Sequence, residues 1–233
     1  MSQALDLLCA GAAQGLVNAL QERFLAATGA TINARFGAVG ALKELLLAGS
    51  PCDVMVATDA MIDSLVAEGR LNVTTRAPLG RVRTGIAVRS GEPRPDVSTP
   101  RALEATLLAA DAIYFPDPDR ATAGIHFANV MRSLGIHDEL RPRFRNFPNG
   151  ATSMRELAAT STPRLIGCTQ VTEINYTDGV DLVGALPDRF ELATVYTAAT
   201  SSHATQPELA ARFVALLAGP ASQALRAAGG FEL

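Results

Sequence analysis

Leu5-Asp6-Leu7-Leu8-Cys9-Ala10-Gly11-Ala12-Ala13-Gln14-Gly15 is an apolar run that meets small residues and then a helical pattern. The same order recurs at Ala34-Arg35-Phe36-Gly37-Ala38-Val39-Gly40-Ala41-Leu42. A strand that feeds a helix through a small-residue turn leaves the first helical N–H groups without intrahelical partners, and a ligand can come close to them. Two such mouths read as an anion cradle. Tight strand-to-helix turns that bind nothing use the same residues, so the local pattern alone leaves both readings open.

Outward from these junctions, residues 4–10 read as a strand and 14–28 as a helix with Leu16, Leu20, Phe24 and Leu25 on its apolar side. A second strand is expected at 31–36, a helix at 41–48, a buried strand at 52–57 and an amphipathic stretch at 59–66. Alternation of strand and helix is the mark of an α/β layer architecture. Beyond Leu71 the pattern predicts strands at 82–88, 112–115, 165–168 and 192–196. Helices are expected at 100–109, 123–134, 207–217 and 221–228, the last stopping at Gly229-Gly230. The fold class is therefore α/β, and the expected division, which rests on the resemblance given below, is into two lobes, one of residues 1–82 and 197–233, the other of residues 83–196. A ligand cleft between the lobes gives the helix mouths a use. A single larger α/β domain without a moving cleft is the competing architecture.

Composition narrows the function classes. A chain of 233 residues with 48% hydrophobic and 18% charged residues is an ordered globular protein rather than a disordered tail or fibre. Its net charge of −3 offers nucleic-acid phosphates no broad attraction, so no nucleic-acid partner is expected. Cys9, Cys52 and Cys168 are far apart among apolar neighbours and read as buried thiols, not metal ligands. No stretch approaches the roughly 18 consecutive apolar residues of a membrane span, and Asp6 interrupts the first apolar run. As written, the chain reads as cytoplasmic; it reads as periplasmic if a signal peptide has been removed.

Three further stretches carry a family resemblance. Leu7-Leu8-Cys9-Ala10-Gly11-Ala12-Ala13, Phe36-Gly37-Ala38-Val39-Gly40-Ala41-Leu42 and Cys52-Asp53-Val54-Met55-Val56-Ala57-Thr58-Asp59 together resemble the first lobe of molybdate-binding periplasmic proteins. The likeness continues through Pro116-Asp117-Pro118, Thr122-Ala123-Gly124-Ile125 and the segment Phe213 to Gln223. It implies a periplasmic-binding-protein-like fold in which two α/β lobes close on an oxyanion and the crossover strands act as hinges. That family places a serine at each of the two first-lobe mouths; Ala13 and Val39 stand there in this chain and can donate no hydroxyl hydrogen bond.

The expected ligand contacts are Ala12, Ala13 and Gln14 at the first mouth and Val39 and Gly40 at the second. Arg81 and Arg83 flank the crossover and are candidates to clamp a carboxylate through paired donors, against the alternative of solvated surface arginines. Thr122 is a candidate to cap a helix and offer its hydroxyl, while Ala123 and Gly124 offer backbone N–H groups. Segments 149–152 and 167–174 fall where the resembled family has ligand-facing loops, with Gln170 able to donate and accept. Tyr176 lies near a ligand-contacting tyrosine of that family.

No metalloprotease, Gly-Lys phosphate loop or dinucleotide fingerprint is present, and His126, His137 and His203 form no metal pattern, so no metal or cofactor is expected. The simplest reading is a small-anion binding protein. Loss of both serines favours a carboxylate or polycarboxylate over molybdate. A transporter partner is expected only if the protein is exported. The alternative is an isomerase of a small unsaturated polycarboxylate, since aconitate isomerases resemble this binding-protein fold. His126 or Glu173 would then be the base that moves a carbon-bound proton. Glu173 has two competing roles, capping a helix or pairing with Arg83.

Overall fold

The computed structural model describes residues 3–233, and its opening third alternates strand and helix as the apolar pattern dictates. β1 (Ala4–Ala10), α1 (Gln14–Thr28), β2 (Thr31–Gly37), α2 (Val39–Leu47), β3 (Val54–Thr58) and α3 (Asp59–Ala67) follow one another. β1 is central: Leu7 lies opposite Ala34 of β2 on one side and Val54 of β3 on the other, both pairs parallel. A strand covered on both faces needs a nearly continuous apolar run, and on either side of the half-buried Asp6 the residues Leu5, Leu7, Leu8 and Cys9 are all buried. Each such leucine contributes about 1.5–3 kcal/mol of burial. α1 turns Leu16, Val17, Leu20 and Phe24 inward and stops where Gly29 adopts φ 71°.

β4 (Ala77–Arg89) carries the chain from the first compact unit, which ends at Val82, into a second that starts at Arg83. This second unit comprises α4 (Pro100–Ala109), β5 (Ala112–Pro116), α5 (Thr122–Ser133), α6 (His137–Leu140), β6 (Phe144–Phe147), α7 (Gly150–Ala159), β7 (Leu165–Gln170), α8 (Val171–Asn175) and β8 (Val180–Ala185). β4 pairs antiparallel with β7 and with β8, whereas β5 pairs parallel with β7 and β6. Phe115 anchors its core, meeting the ring edges of Phe127 and Phe144 at 5.5 and 5.0 Å.

β9 (Ala193–Thr200) returns the chain to the first unit at Thr194, where it pairs antiparallel with β3, Met55 opposite Ala199. α9 (Pro207–Ala218) and α10 (Gln223–Gly229) complete that unit, and Phe213 of α9 packs edge-on against Phe24 at 5.0 Å. The buried Asp53 carboxylate fixes the start of α9. It accepts from the N–H groups of Asp6, Thr205 and Gln206 and from the Thr205 hydroxyl. The architecture is thus a two-lobed α/β fold. Strands 82–88 and 192–196 are longer than expected, and β6, α7 and β8 arise where no element is expected from the sequence.

Candidate ligand site

In the first unit the two mouths are built as their small residues dictate. A 3-10 turn at Gly11–Ala13 joins β1 to α1, with all three residues buried and no side chain capping either helix start. Ala38 precedes α2 in extended conformation, again without a side-chain cap, and Val39 is buried. Gln14 and Gly40 are partly exposed. The donors offered here are backbone N–H groups at positive helix ends, without hydroxyls, because alanine and valine occupy the two positions.

In the second unit the mouth of α5 corrects one expectation. Ala121, not Thr122, is the capping residue, and no side chain closes the mouth; Thr122 is already the first helical residue. Ala123 and Gly124 lie buried in that first turn. A Cβ at Gly124 would fall 2.3 Å from the carbonyl oxygens of both Pro116 and Asp117, so the helix can sit this close to the β5 loop only with glycine there. Asp117 stiffens the loop by accepting the N–H groups of Asp119 and Arg120.

The mouth of α7 is a second correction. Residues 149–152 are not a loop but a helix start, capped by Asn149, whose side chain accepts the Thr152 N–H at 2.9 Å. The remaining N–H groups are taken from within: the Glu173 carboxylate, from the first turn of α8, accepts from Gly150 and Ala151 as well as from the Gln170 N–H and the Thr169 hydroxyl. Burial pushes the Glu173 carboxyl above the ordinary range, against the opposing pull of these four donors. Gly150 is the condition for this arrangement, since a Cβ there would lie 1.9 Å from Thr169 Oγ1 and 2.0 Å from Glu173 Oε2. A helix end that would receive an external anion instead holds an internal one.

Beside this carboxylate lies an unusual polar cluster. Six buried side-chain polar atoms have no hydrogen-bond partner among the described residues, and four of them belong to Thr84, Gln170 and Thr172: both threonine hydroxyls and both ends of the Gln170 amide. Thr84 stands directly opposite Gln170 in the antiparallel β4–β7 ladder, which puts the two side chains on one face. Thr172 follows in the first turn of α8. All three are buried, at 1%, 2% and 0% exposure. Leaving a polar group unmade in such a place costs about 1–3 kcal/mol, so native proteins rarely gather several without a use.

The other expected contacts have the following local partners. Arg81 forms an ion pair with Glu232, and Arg83 with Glu191 at 3.0 Å, so each arginine already has an acidic partner and Glu173 is not that of Arg83. His126 Nε2 lies 2.7 Å from the Phe190 carbonyl, which can only accept, so Nε2 is the donor of that hydrogen bond. Tyr176 follows α8 as its C-terminal capping residue and is 37% exposed, its phenol pushed up by the part that is buried. Cys9 and Cys168 are buried with thiols pushed well up, and Cys52 is pushed up to about 12, which makes all three inert. Among the described residues no three His, Cys, Asp or Glu side chains gather as metal ligands. Gln170 was visible in the sequence as a residue able to donate and accept; Thr84 and Thr172 were not singled out. The signal available for Thr84 was a lone hydroxyl within the otherwise apolar run Thr84-Gly85-Ile86-Ala87-Val88.

A family model described as bacterial extracellular solute-binding protein matches residues 5–232. A curated aconitate isomerase from Pseudomonas sp. is 27% identical over 220 residues, covering 92% of this chain and 82% of that protein. Among solved structures, the periplasmic molybdate-binding protein of Azotobacter vinelandii superposes with a TM-score of 0.79 at 18% identity, covering 98% of this chain and 99% of that one. The sulfate-binding protein SubI from Mycobacterium tuberculosis superposes with a TM-score of 0.73 at 16% identity, covering 98% and 86%. The likeness in fold thus extends to binding proteins for more than one ligand and singles out none. Among the described residues no helix is long and apolar enough to cross a membrane.

Proposed function

The chain belongs to the bacterial extracellular solute-binding protein family, a small-molecule and anion-binding class that agrees with the periplasmic branch of the localisation reading, and from that premise we propose that its ligand is a small carboxylate or polycarboxylate. The observation that carries this choice is the buried, unpartnered set of Thr84, Gln170 and Thr172, whose amide and hydroxyls suit carboxyl and hydroxyl oxygens. The mouths of α1 and α2 favour the same class. Without serines at positions 13 and 39 they offer only the backbone donors of Ala12, Ala13, Gln14, Val39 and Gly40, which suit a planar carboxylate and lack the hydroxyl donors that the molybdate-binding family adds. In the second unit Thr122, Ala123, Gly124 and Tyr176 complete the proposed contacts. If the protein is exported, a membrane transporter is its proposed partner.

A second reading, isomerisation of an aconitate-like substrate, draws support from the 27% identity to the Pseudomonas enzyme. In that reaction a base removes a carbon-bound proton, the double bond shifts by one carbon and a proton returns at the far end, with no net change of atoms. The two candidate bases are not equally equipped. Glu173 already spends its oxygens on four donors, whereas the Phe190 carbonyl engages only one ring nitrogen of His126, which favours His126 as the base.

The test is isothermal calorimetry against molybdate, sulfate, phosphate, citrate and cis- and trans-aconitate, with proton NMR of every mixture that shows heat. Carboxylate binding without turnover supports the receptor reading, and interconversion of the aconitates supports the enzyme. Selective tight binding of molybdate would overturn both.

A further inference from the structure

The Gln170 amide has one end that only donates and one that only accepts, and neither has a partner among the described residues although the side chain is 2% exposed. Resting on the carboxylate reading above, we infer that the ligand is a hydroxycarboxylate, its hydroxyl proton directed to the Gln170 amide oxygen. The accounting does not depend on how the amide is flipped, because either orientation leaves one donor and one acceptor to satisfy. Thr84 and Thr172 do not discriminate, since a rotating hydroxyl can donate to an anion or accept from a donor. A fully ionised oxyanion or simple carboxylate presents acceptors alone. It would satisfy the amide nitrogen and set a negative oxygen against the amide oxygen.

The surroundings add an independent argument. The Gln170 backbone N–H donates to the buried Glu173 carboxyl, so an acidic group with its own acceptor oxygens is already tied to this residue from the neighbouring turn. A second acidic group brought beside it could keep its charge only against repulsion from an ionised Glu173 or with a proton on Glu173. A neutral hydroxyl meets no such repulsion and supplies the missing donor. Sites built to hydrogen-bond a ligand hydroxyl reject the analogue that lacks it far more strongly than apolar pockets reject a missing methylene.

Calorimetry on the intact protein at one pH and salt concentration, with matched pairs, tests this: malate against succinate, and citrate against tricarballylate. The hydroxyl-bearing member of at least one pair is expected to bind about 10-fold or more tightly than its deoxy partner. In Gln170→Met, which keeps length and removes both polar ends, that preference should fall to about 2-fold while binding of the deoxy ligand survives. Equal binding within both pairs, or a preference undiminished in Gln170→Met, overturns the inference and leaves the carboxylate reading standing. Failure of all four carboxylates to bind overturns both. Should Gln170→Met not fold, the wild-type pairs still decide.

Discussion

Gly150→Ala is the substitution whose cost can be worked most directly from the geometry. The added Cβ would lie 2.0 Å from Glu173 Oε2, about 1 Å inside the 3.0 Å that real Cβ atoms essentially never breach. The helix start cannot yield easily, because Asn149 caps it and Ser153 bonds back to the Asn149 carbonyl. The carboxylate must therefore retreat from the N–H groups of Gly150 and Ala151. Two charge-assisted hydrogen bonds at about 1.5–3 kcal/mol each set an upper range of about 3–6 kcal/mol, and partial relaxation brings the expected loss to about 3–4 kcal/mol. For a chain of this length that is a fall of about 6–16 °C in the melting transition of the second unit. Circular dichroism melts and urea titrations would measure it, with Gly37→Ala as control, because a Cβ there meets only Leu42 at 3.6 Å. In a background carrying both Glu173→Ala and Thr169→Ala the same substitution should cost less than half as much. If Gly150→Ala proves as mild as Gly37→Ala, the carboxylate does not occupy the α7 mouth and the reasoning fails.

Other outcomes follow from the same physics. Glu173 is held above its ordinary range, so the folded state binds its proton more tightly than the unfolded chain does; its contribution to stability is complete below the unfolded pKa and is lost as pH rises through the folded one. Glu173→Gln should remove that component, and urea midpoints measured from pH 4 to pH 8 that stay parallel for the two proteins would rule it out. Asp53→Asn should destabilise the first unit by about 2–3 kcal/mol, since an amide NH2 would face N–H groups that now donate to a carboxylate; an unchanged urea midpoint would contradict this. Ala13→Ser combined with Val39→Ser should raise molybdate affinity by about 10-fold, one hydroxyl at each mouth, and calorimetry showing no gain would refute the role given to those positions.

How far the sequence could be read depended on where each element draws its stability. β1, α1 and β3 announce themselves because burial on both faces or along one stripe demands the apolar spacing seen at Leu5–Cys9 and at Leu16, Leu20 and Phe24. α7 does not, having only Met154 and Leu157 as large apolar residues; its one local cue was Asn149 in capping position. β8, mostly half-buried, lacks a clear alternation, and β6 has only four residues. Gly150 and Glu173 are 23 positions apart, and no local pattern tells that a carboxylate on one helix will fill the start of another. Gln170 was legible from its chemistry alone. What made it distinctive, the paired Thr84 across the ladder, required the strand register.

The route of the chain also governs how the molecule is made. The second unit is one continuous stretch, entered through β4 and left through β9, and the Thr84 N–H donates to the Leu192 carbonyl at 3.0 Å, so its two ends lie side by side. It has the geometry of an insertion, with all of its sequence present once residue 193 has been synthesised. The first unit is not continuous. Its first 82 residues must wait while 111 more are synthesised, and until β9 arrives the flank of β3 is an open edge able to pair with any strand it meets. The stretch from residue 194 onward is thus the closing piece of the half that was begun first, and a chain cut short before it would leave the flank of β3 without its partner strand.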